Sequence, residues 1–325
     1  MTASSPGSVP VIDLSGFPGG DVAQRRALGA QIDRACREVG FFTVVGHGVD
    51  DATIEALRSA AADFFDAPLG DRLAVAMPEP GYPYGYNPLQ AEALNRSIGG
   101  AALADLKETF NIGPIDPPPR PLSEMVDPDE RAVYAPNLWP EAVPTLRPAV
   151  EAYYRSMADL AATLMGAFAV ALDLDDRTFD DLIDAHGSAL RLAHYPALDE
   201  PPPPGQFRAG AHTDYGTLTI LWTDGEPGLQ VQTADGIWID VESVDGGLIV
   251  NLGDLMQRWT NDRWCSTMHR VVASDAPGRR LSIPFFHNAN WDAVVECIVA
   301  DGEEPRYPPT TAGRHLMEKF RSTVM

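Results

Sequence analysis

His212-Thr213-Asp214 places an imidazole and a carboxylate two residues apart at the start of a β-type run. Residues i and i+2 of a strand project from the same face, so both side chains converge on one point. A chain with seven His and 46 acidic residues contains such pairs by chance, and a buried, mutually hydrogen-bonded pair would need no metal. His269 changes the balance. In WCSTMHRVV, a second run of strand character, Thr267, His269 and Val271 share a face while Arg270 points away. Two neutral imidazoles and one carboxylate on one side of a metal form the facial set of oxygen-activating Fe(II), with coordination positions left open. The same donors can also hold Zn(II).

Arg280-Leu281-Ser282 begins eleven residues beyond His269, in the strand-like RRLSIPFF. Arg280 and Ser282 face one way there, and Leu281, Ile283 and Phe285 pack on the other. A guanidinium beside a hydroxyl is a receptor for a carboxylate, because Arg donates two parallel hydrogen bonds. An anion receptor one strand from an iron site suits a keto acid whose keto end chelates the metal while its far carboxylate is pinned. The plainer alternatives are a barrel-rim salt bridge for Arg280 and a core aromatic before Pro for Tyr195 in HYP. On the same alternation, His287 points away from the iron side and His194 points opposite to Tyr195. Cys265 would face inward with Thr267 and His269, as a small apolar group. Asp254, after Gly253 and before a helical run, is placed to cap that helix. His47, His186 and His315 fall outside the motif strands.

These residues need a scaffold of short strands. After the loop EPPPPG (200–205), β-type runs with turn signals dominate to about residue 300, the clearest being LQVQTADGIWIDV, a hairpin across Asp235-Gly236. Several such strands at close spacing imply a sandwich or barrel. Before them, residues 21–39 carry Leu28, Ile32, Ala35, Cys36 and Val39 at helical period, Gly40 ends that helix, and FFTVV (41–45) follows as a strand. Asp50 or Asp51 caps a second helix with Ile54, Leu57, Ala61 and Phe65. The Gly-, Pro- and Tyr-rich stretch from Pro78 to Pro121 is expected to wrap a cleft rather than form core. A long helix from about Ala149 to Leu174 packs beneath the sheet, and a short one (Ala312–Arg321) ends the chain. The fold class is therefore mainly β with flanking α, a barrel core framed by helices. The expected layout is a single catalytic unit over 1–325: an N-terminal α/β cap region (1–121), backbone helix and barrel core (149–300), and C-terminal helix (301–325).

A net charge of −22 argues against a nucleic-acid partner and requires any anionic ligand to be met by a local cluster of Arg or Lys. Cys36, Cys265 and Cys297 are scattered and form no CxxC pair, which excludes a disulfide framework and fits a reducing compartment. With no signal-like start, and with Met157–Leu174 interrupted by Asp159 and Asp173, the expectation is a cytoplasmic protein with no membrane partner.

The motif set HTD (212–214), MHRV (268–271) and RLS (280–282) resembles, in order and spacing, the isopenicillin N synthase-like branch of the 2-oxoglutarate/Fe(II) dioxygenases. VIDL (11–14), FFTVVGHGV (41–49), DLKETFNIG (105–113), NLWP (137–140), RLAHYP (191–196) and NLGDLMQRWTNDRW (251–264) extend the resemblance over nearly the whole chain. It implies a double-stranded β-helix, or jelly roll, with Fe(II) held by His212, Asp214 and His269. It makes Arg280, Ser282 and Tyr195 the contacts of the co-substrate 2-oxoglutarate. The implied reaction consumes O2, releases succinate and CO2, and oxidises a C–H bond, by hydroxylation or else by desaturation or ring closure. Ala193 stands where many plant members carry Asn, and the tail RHLMEKFRSTVM lacks the glutamine of the keto-acid-free oxidase that names the branch. Such an oxidase and a metal-dependent hydrolase are the competing readings. The substrate is expected to be a small organic molecule, perceived by Tyr82, Tyr84, Tyr86, Asn95 and Arg96 and by Arg314 and Arg321 of the last helix.

Overall fold

The computed structural model describes residues 8–17, 19–94, 103–198, 200, 202–273 and 278–324. The chain opens with β1 (Val11–Asp13), α1 (Val22–Glu38), β2 (Phe41–Val45), α2 (Asp51–Asp66) and α3 (Leu69–Leu73). Asp21 starts α1 through a capping box: its side chain accepts from Gln24 N at 2.8 Å and Gln24 Oε1 accepts from Asp21 N at 2.9 Å. Asp50 caps α2. There follow β3 (Gly85–Asn87), β4 (Glu108–Ile112), α4 (Pro128–Val133), the long α5 (Leu146–Ala171) and α6 (Asp180–Ile183).

The core strands are β5 (Ala189–Tyr195), β6 (Ala209–His212), β7 (Leu218–Thr223), β8 (Leu229–Gln232), β9 (Trp238–Asp240) and β10 (Leu248–Leu252). After α7 (Asp254–Trp259) come β11 (His269–Val271) and β12 (Arg280–His287), then β13 (Val294–Val295), β14 (Thr310–Thr311) and α8 (Ala312–Val324). From β5 to β12 the chain alternates between two sheets, except that β8 and β9 pair within the same one. The larger has the order β1-β2-β10-β7-β12-β5-β4-β3 and the smaller β6-β11-β8-β9. This winding is the double-stranded β-helix, with N-terminal helices before it and a C-terminal helix after it.

Two cores follow from the alternation of side chains. The outer face of the large sheet, with Leu281, Ile283, Phe285, Phe110 and Ile112, buries against α1, α2 and α5. Helix α5 supplies Val150, Tyr153, Met157, Leu160, Leu164 and Phe168 at helical spacing. Phe168 meets Phe42 edge-on at 6.3 Å, and cutting it to Ala should cost about 3–5 kcal/mol. The inner face meets the small sheet through Phe41, Ala193, Tyr195, Val231, Ile249 and Val271. Among the described residues, no helix is long and apolar enough to cross a membrane.

The stretch from 78 to 121 departs from expectation. Its β3 and β4 extend the large sheet beside β5, and Tyr86, Phe110 and Ile112 are core. Short strands that pair with partners some 80 residues downstream leave little local pattern to read.

Candidate metal centre

His212 and His269 are direct cross-strand partners on β6 and β11, with ring centroids 4.3 Å apart. Asp214 completes the group, and the ligand atoms of all three lie within 4.8 Å of one another. It does so from outside a strand: β6 ends at His212, so the motif sits at a strand's end rather than its start. The loop 213–217 is instead seated on the first turn of α7. Asp254 N donates to Asp214 O at 2.8 Å and Gly253 N to Thr217 O at 3.0 Å. This contact requires glycine, since a Cβ on Gly253 would stand 2.2 Å from Gly216 O.

Backbone carbonyls set the tautomer of each imidazole. His212 Nδ1 lies 2.7 Å from Gly210 O and His269 Nδ1 lies 3.1 Å from Thr267 O. A carbonyl only accepts, so in the neutral ring Nδ1 carries the proton and Nε2 is the nitrogen open to a metal. Burial, then the neighbouring His269, holds the His212 pKa well below the ordinary imidazole value. For Asp214, burial pushes upward but is outweighed by His269, His212 and hydrogen bonds from Asn251 and Thr219, which hold the carboxyl below its usual range. Those donors reach Oδ2 at 2.7 and 2.6 Å, leaving Oδ1 3.9 Å from His269 Nε2. Two neutral imidazoles and an anionic carboxylate, oriented from behind, are the state in which these groups bind a divalent metal. Phe41 packs edge-on against His269 at 5.3 Å and closes one wall.

Arg280 and Tyr195 face each other across β12 and β5, with the guanidinium over the ring, 5.1 Å from its centroid. Arg280 is 1% exposed and Ser282 3%. Leu281 and Ile283 belong to the helix-side core, so Arg280 and Ser282 look into the space between the sheets. Among the described residues no acid pairs with Arg280; its Nε donates to Glu226 O at 3.2 Å.

Among the other residues, two follow the sequence reading and several do not. His194 does turn away from Tyr195, its Nδ1 2.8 Å from Glu108, and His287 turns to Thr217. Cys265 and Thr267 do not face the metal: strand pairing begins only at His269, and their side chains donate to Arg37 O and Val39 O. Asp254 is not the cap of α7, whose cap position is Gly253; its Oδ2 accepts from Thr213 Oγ1 at 3.2 Å and pairs with Lys319 of α8 at 2.6 Å. Tyr86 points to the helix side, where its hydroxyl donates to Glu108. Tyr84 and Tyr82 donate to the carbonyls of Val133 and Pro136. Arg314 and Arg321 pair with Glu318 and Asp129 on the surface. Asn95 and Arg96 lie outside the described residues. Sequence reasoning missed the support given by Asn251 and Thr219, although NLGD contained the first. It also missed Lys107, buried between Asp105 and Glu92 at 3.0 and 3.3 Å, with Asp105 accepting from Gly210 N at 3.0 Å beneath His212.

Residues 186–289 match the 2OG-Fe(II) oxygenase superfamily, and residues 9–142 match a family described as non-haem dioxygenase in morphine synthesis N-terminal. The chain is 35% identical to the 2-oxoglutarate-Fe(II) type oxidoreductase hxnY of Emericella nidulans, over 94% of this chain and 88% of that protein. It is 33% identical to validamycin A dioxygenase of Streptomyces hygroscopicus subsp. limoneus, over 96% and 86%. Among solved structures, a full-length Neurospora crassa protein in complex with alpha-KG is similar at a TM-score of 0.85 and 30% identity, covering 99% of this chain and 98% of that one.

Proposed function

The chain belongs to the 2OG-Fe(II) oxygenase superfamily, in its isopenicillin N synthase-like branch, and from that premise we propose that it hydroxylates a C–H bond of a small organic metabolite. It is an Fe(II)- and 2-oxoglutarate-dependent oxygenase with iron at His212, Asp214 and His269. When bound, iron, 2-oxoglutarate and O2 supply the oxidising power, and succinate and CO2 are the by-products.

The observation that carries the co-substrate assignment is Arg280, wholly buried over Tyr195 with no acid to neutralise it among the described residues. A buried cation without an anionic partner carries a desolvation cost that an arriving anion offsets. The far carboxylate of 2-oxoglutarate, held by the fork of Arg280 with the Ser282 and Tyr195 hydroxyls beside it, meets that need. The chain's own part is to orient the ligands through Asn251, Thr219 and two backbone carbonyls, and to keep water out with Phe41 and the apolar inter-sheet core. A metal hydrolase would have no use for the second anchor. A small substrate is favoured because validamycin A dioxygenase takes its name from one. We also read residues 1–325 as one catalytic unit, since β1–β4 extend the sheet that carries Arg280. A cytoplasmic setting accords with three unpaired cysteines.

The test is stoichiometric. Purified protein, Fe(II) and 2-oxoglutarate, screened against small metabolites, should release one succinate per O2 consumed once the right molecule is added, and Asp214→Ala should release none. Substrate-dependent O2 uptake without succinate would refute the assignment.

A further inference from the structure

Three cationic side chains are buried among the described residues: Lys107, Arg208 and Arg280. Lys107 lies between two acids. The two arginines have only carbonyls. Arg208, just before β6, is 1% exposed, and its Nη2 donates to Gly278 O at 2.9 Å and Pro196 O at 3.4 Å. Gly278 lies two residues before Arg280, and Pro196 follows Tyr195. Arg208 therefore reaches the same end of the inter-sheet space, where Arg280 stacks on Tyr195. Arg208 Nε and Arg280 Nη1 are both buried without an acceptor.

We propose that Arg208 is a second cation of the co-substrate pocket, adding its charge to that of Arg280 so that the pocket selects a keto acid with a carboxylate at its far end. The proposal rests on the Arg280 clamp described above and extends it. Desolvating two guanidiniums at one end of the same space is costly unless an anion joins them. Burial, and next the charge of Arg280, lower the Arg208 pKa, outweighing Tyr195, Glu226 and Asp224, which act the other way, and a bound carboxylate relieves both. The pair also answers the net charge of −22, which repels a dianionic co-substrate at long range. The competing role is structural: Arg208 could serve only to staple the backbone at Pro196 and Gly278.

Arg208→Gln separates the two, since Gln keeps N–H donors for the carbonyls but loses the charge. With Mn(II) and no oxygen, binding of 2-oxoglutarate would be compared with binding of 2-oxopentanoate, a five-carbon keto acid with the same chelating end and no far carboxylate. The preference for 2-oxoglutarate should fall at least about tenfold in Arg208→Gln, as expected when a charge-assisted contact is lost, and recover in part in Arg208→Lys. A merely structural role would weaken both ligands alike and leave the preference unchanged. If Arg280→Gln loses the preference and Arg208→Gln keeps it, Arg208 has no part in the pocket and the clamp stands. If both keep it, the clamp itself is misplaced and this proposal falls with it. Wild-type protein gives a second reading that needs no variant: without metal, sulfate should displace glutarate more effectively than nitrate at equal ionic strength. Equal displacement would overturn the two-cation pocket.

Discussion

Asn251 on β10 donates to Oδ2 of Asp214 at 2.7 Å, and the oxygen left over, Oδ1, is the one turned toward His269. Thr219 on β7 holds the same Oδ2 at 2.6 Å. The carboxylate is thereby aimed by the two strands, even though Asp214 stands in a loop. Both donors come from strands that pair with each other, Asn251 directly opposite Thr219.

Asn251→Leu should therefore weaken Fe(II) binding about ten- to a hundredfold, the usual consequence of removing a group that orients a ligand. Thr219→Val should act in the same direction. Anaerobic competition against a chelating dye measures both, and wild-type affinity in Asn251→Leu would refute the orienting role.

Arg280→Lys keeps the charge but loses the planar fork. Losing a charge-assisted hydrogen bond is worth about 1.5–3 kcal/mol, so 2-oxoglutarate should bind roughly ten- to a hundredfold more weakly. Iron binding should survive, because Arg280 is not among the ligands. Calorimetric titration of the Mn(II) form would decide it, and an unchanged dissociation constant would place the clamp elsewhere.

The buried histidines predict an acid sensitivity. Burial, followed by the nearby His186, holds His287 well below the ordinary imidazole value of 6.5. The unfolded chain then takes up a proton that the folded chain refuses, so stability is full above about pH 6.5 and is lost as pH falls below it. One such group contributes a slope of up to about 1.4 kcal/mol per pH unit. The melting temperature of the metal-free protein should fall between pH 6.5 and 5, and His287→Gln should flatten that decline. An identical pH profile in the variant would show that other groups control it.

Much of the site was legible because metal chemistry restricts residue types and a strand's period of two aligns neighbours. His212, His269 and the Arg280-x-Ser282 pair all follow from that. Helix α1 was legible from its apolar period and the Gly40 that ends it, and α2 from its cap and apolar period. What could not be read is tertiary. Asp214 meets its partners through a loop seated on α7, whereas strand alternation had been invoked for it. Cys265 and Thr267 precede the pairing of β11 and so escape its alternation. Tyr84 and Tyr86 looked like cleft residues in a Gly- and Pro-rich stretch, yet β3 carries Tyr86 into the packed body of the fold and Tyr84, just before it, is buried as well. Arg208 belongs to no short motif and gains meaning only from the carbonyls and the guanidinium beside it.

A final prediction tests co-substrate use without knowledge of the substrate. With Mn(II) present and oxygen excluded, 2-oxoglutarate should raise the melting temperature. A ligand that binds only the folded state adds RT ln(1 + [L]/Kd), about 2.7 kcal/mol at a hundredfold excess over Kd. In a chain of 325 residues an unfolding entropy of about 2.1 cal/mol/K per residue makes that a shift of about 4 °C. Succinate keeps the far carboxylate but lacks the keto group, so it cannot chelate in the same way and should stabilise less. The advantage of 2-oxoglutarate should shrink without metal or in Asp214→Ala, because chelation is its source, while the shift common to both ligands should shrink in Arg280→Lys. If 2-oxoglutarate and succinate stabilise the Mn(II) protein equally, the keto acid is not held at both ends, and the pairing of this metal centre with the Arg280 pocket is wrong.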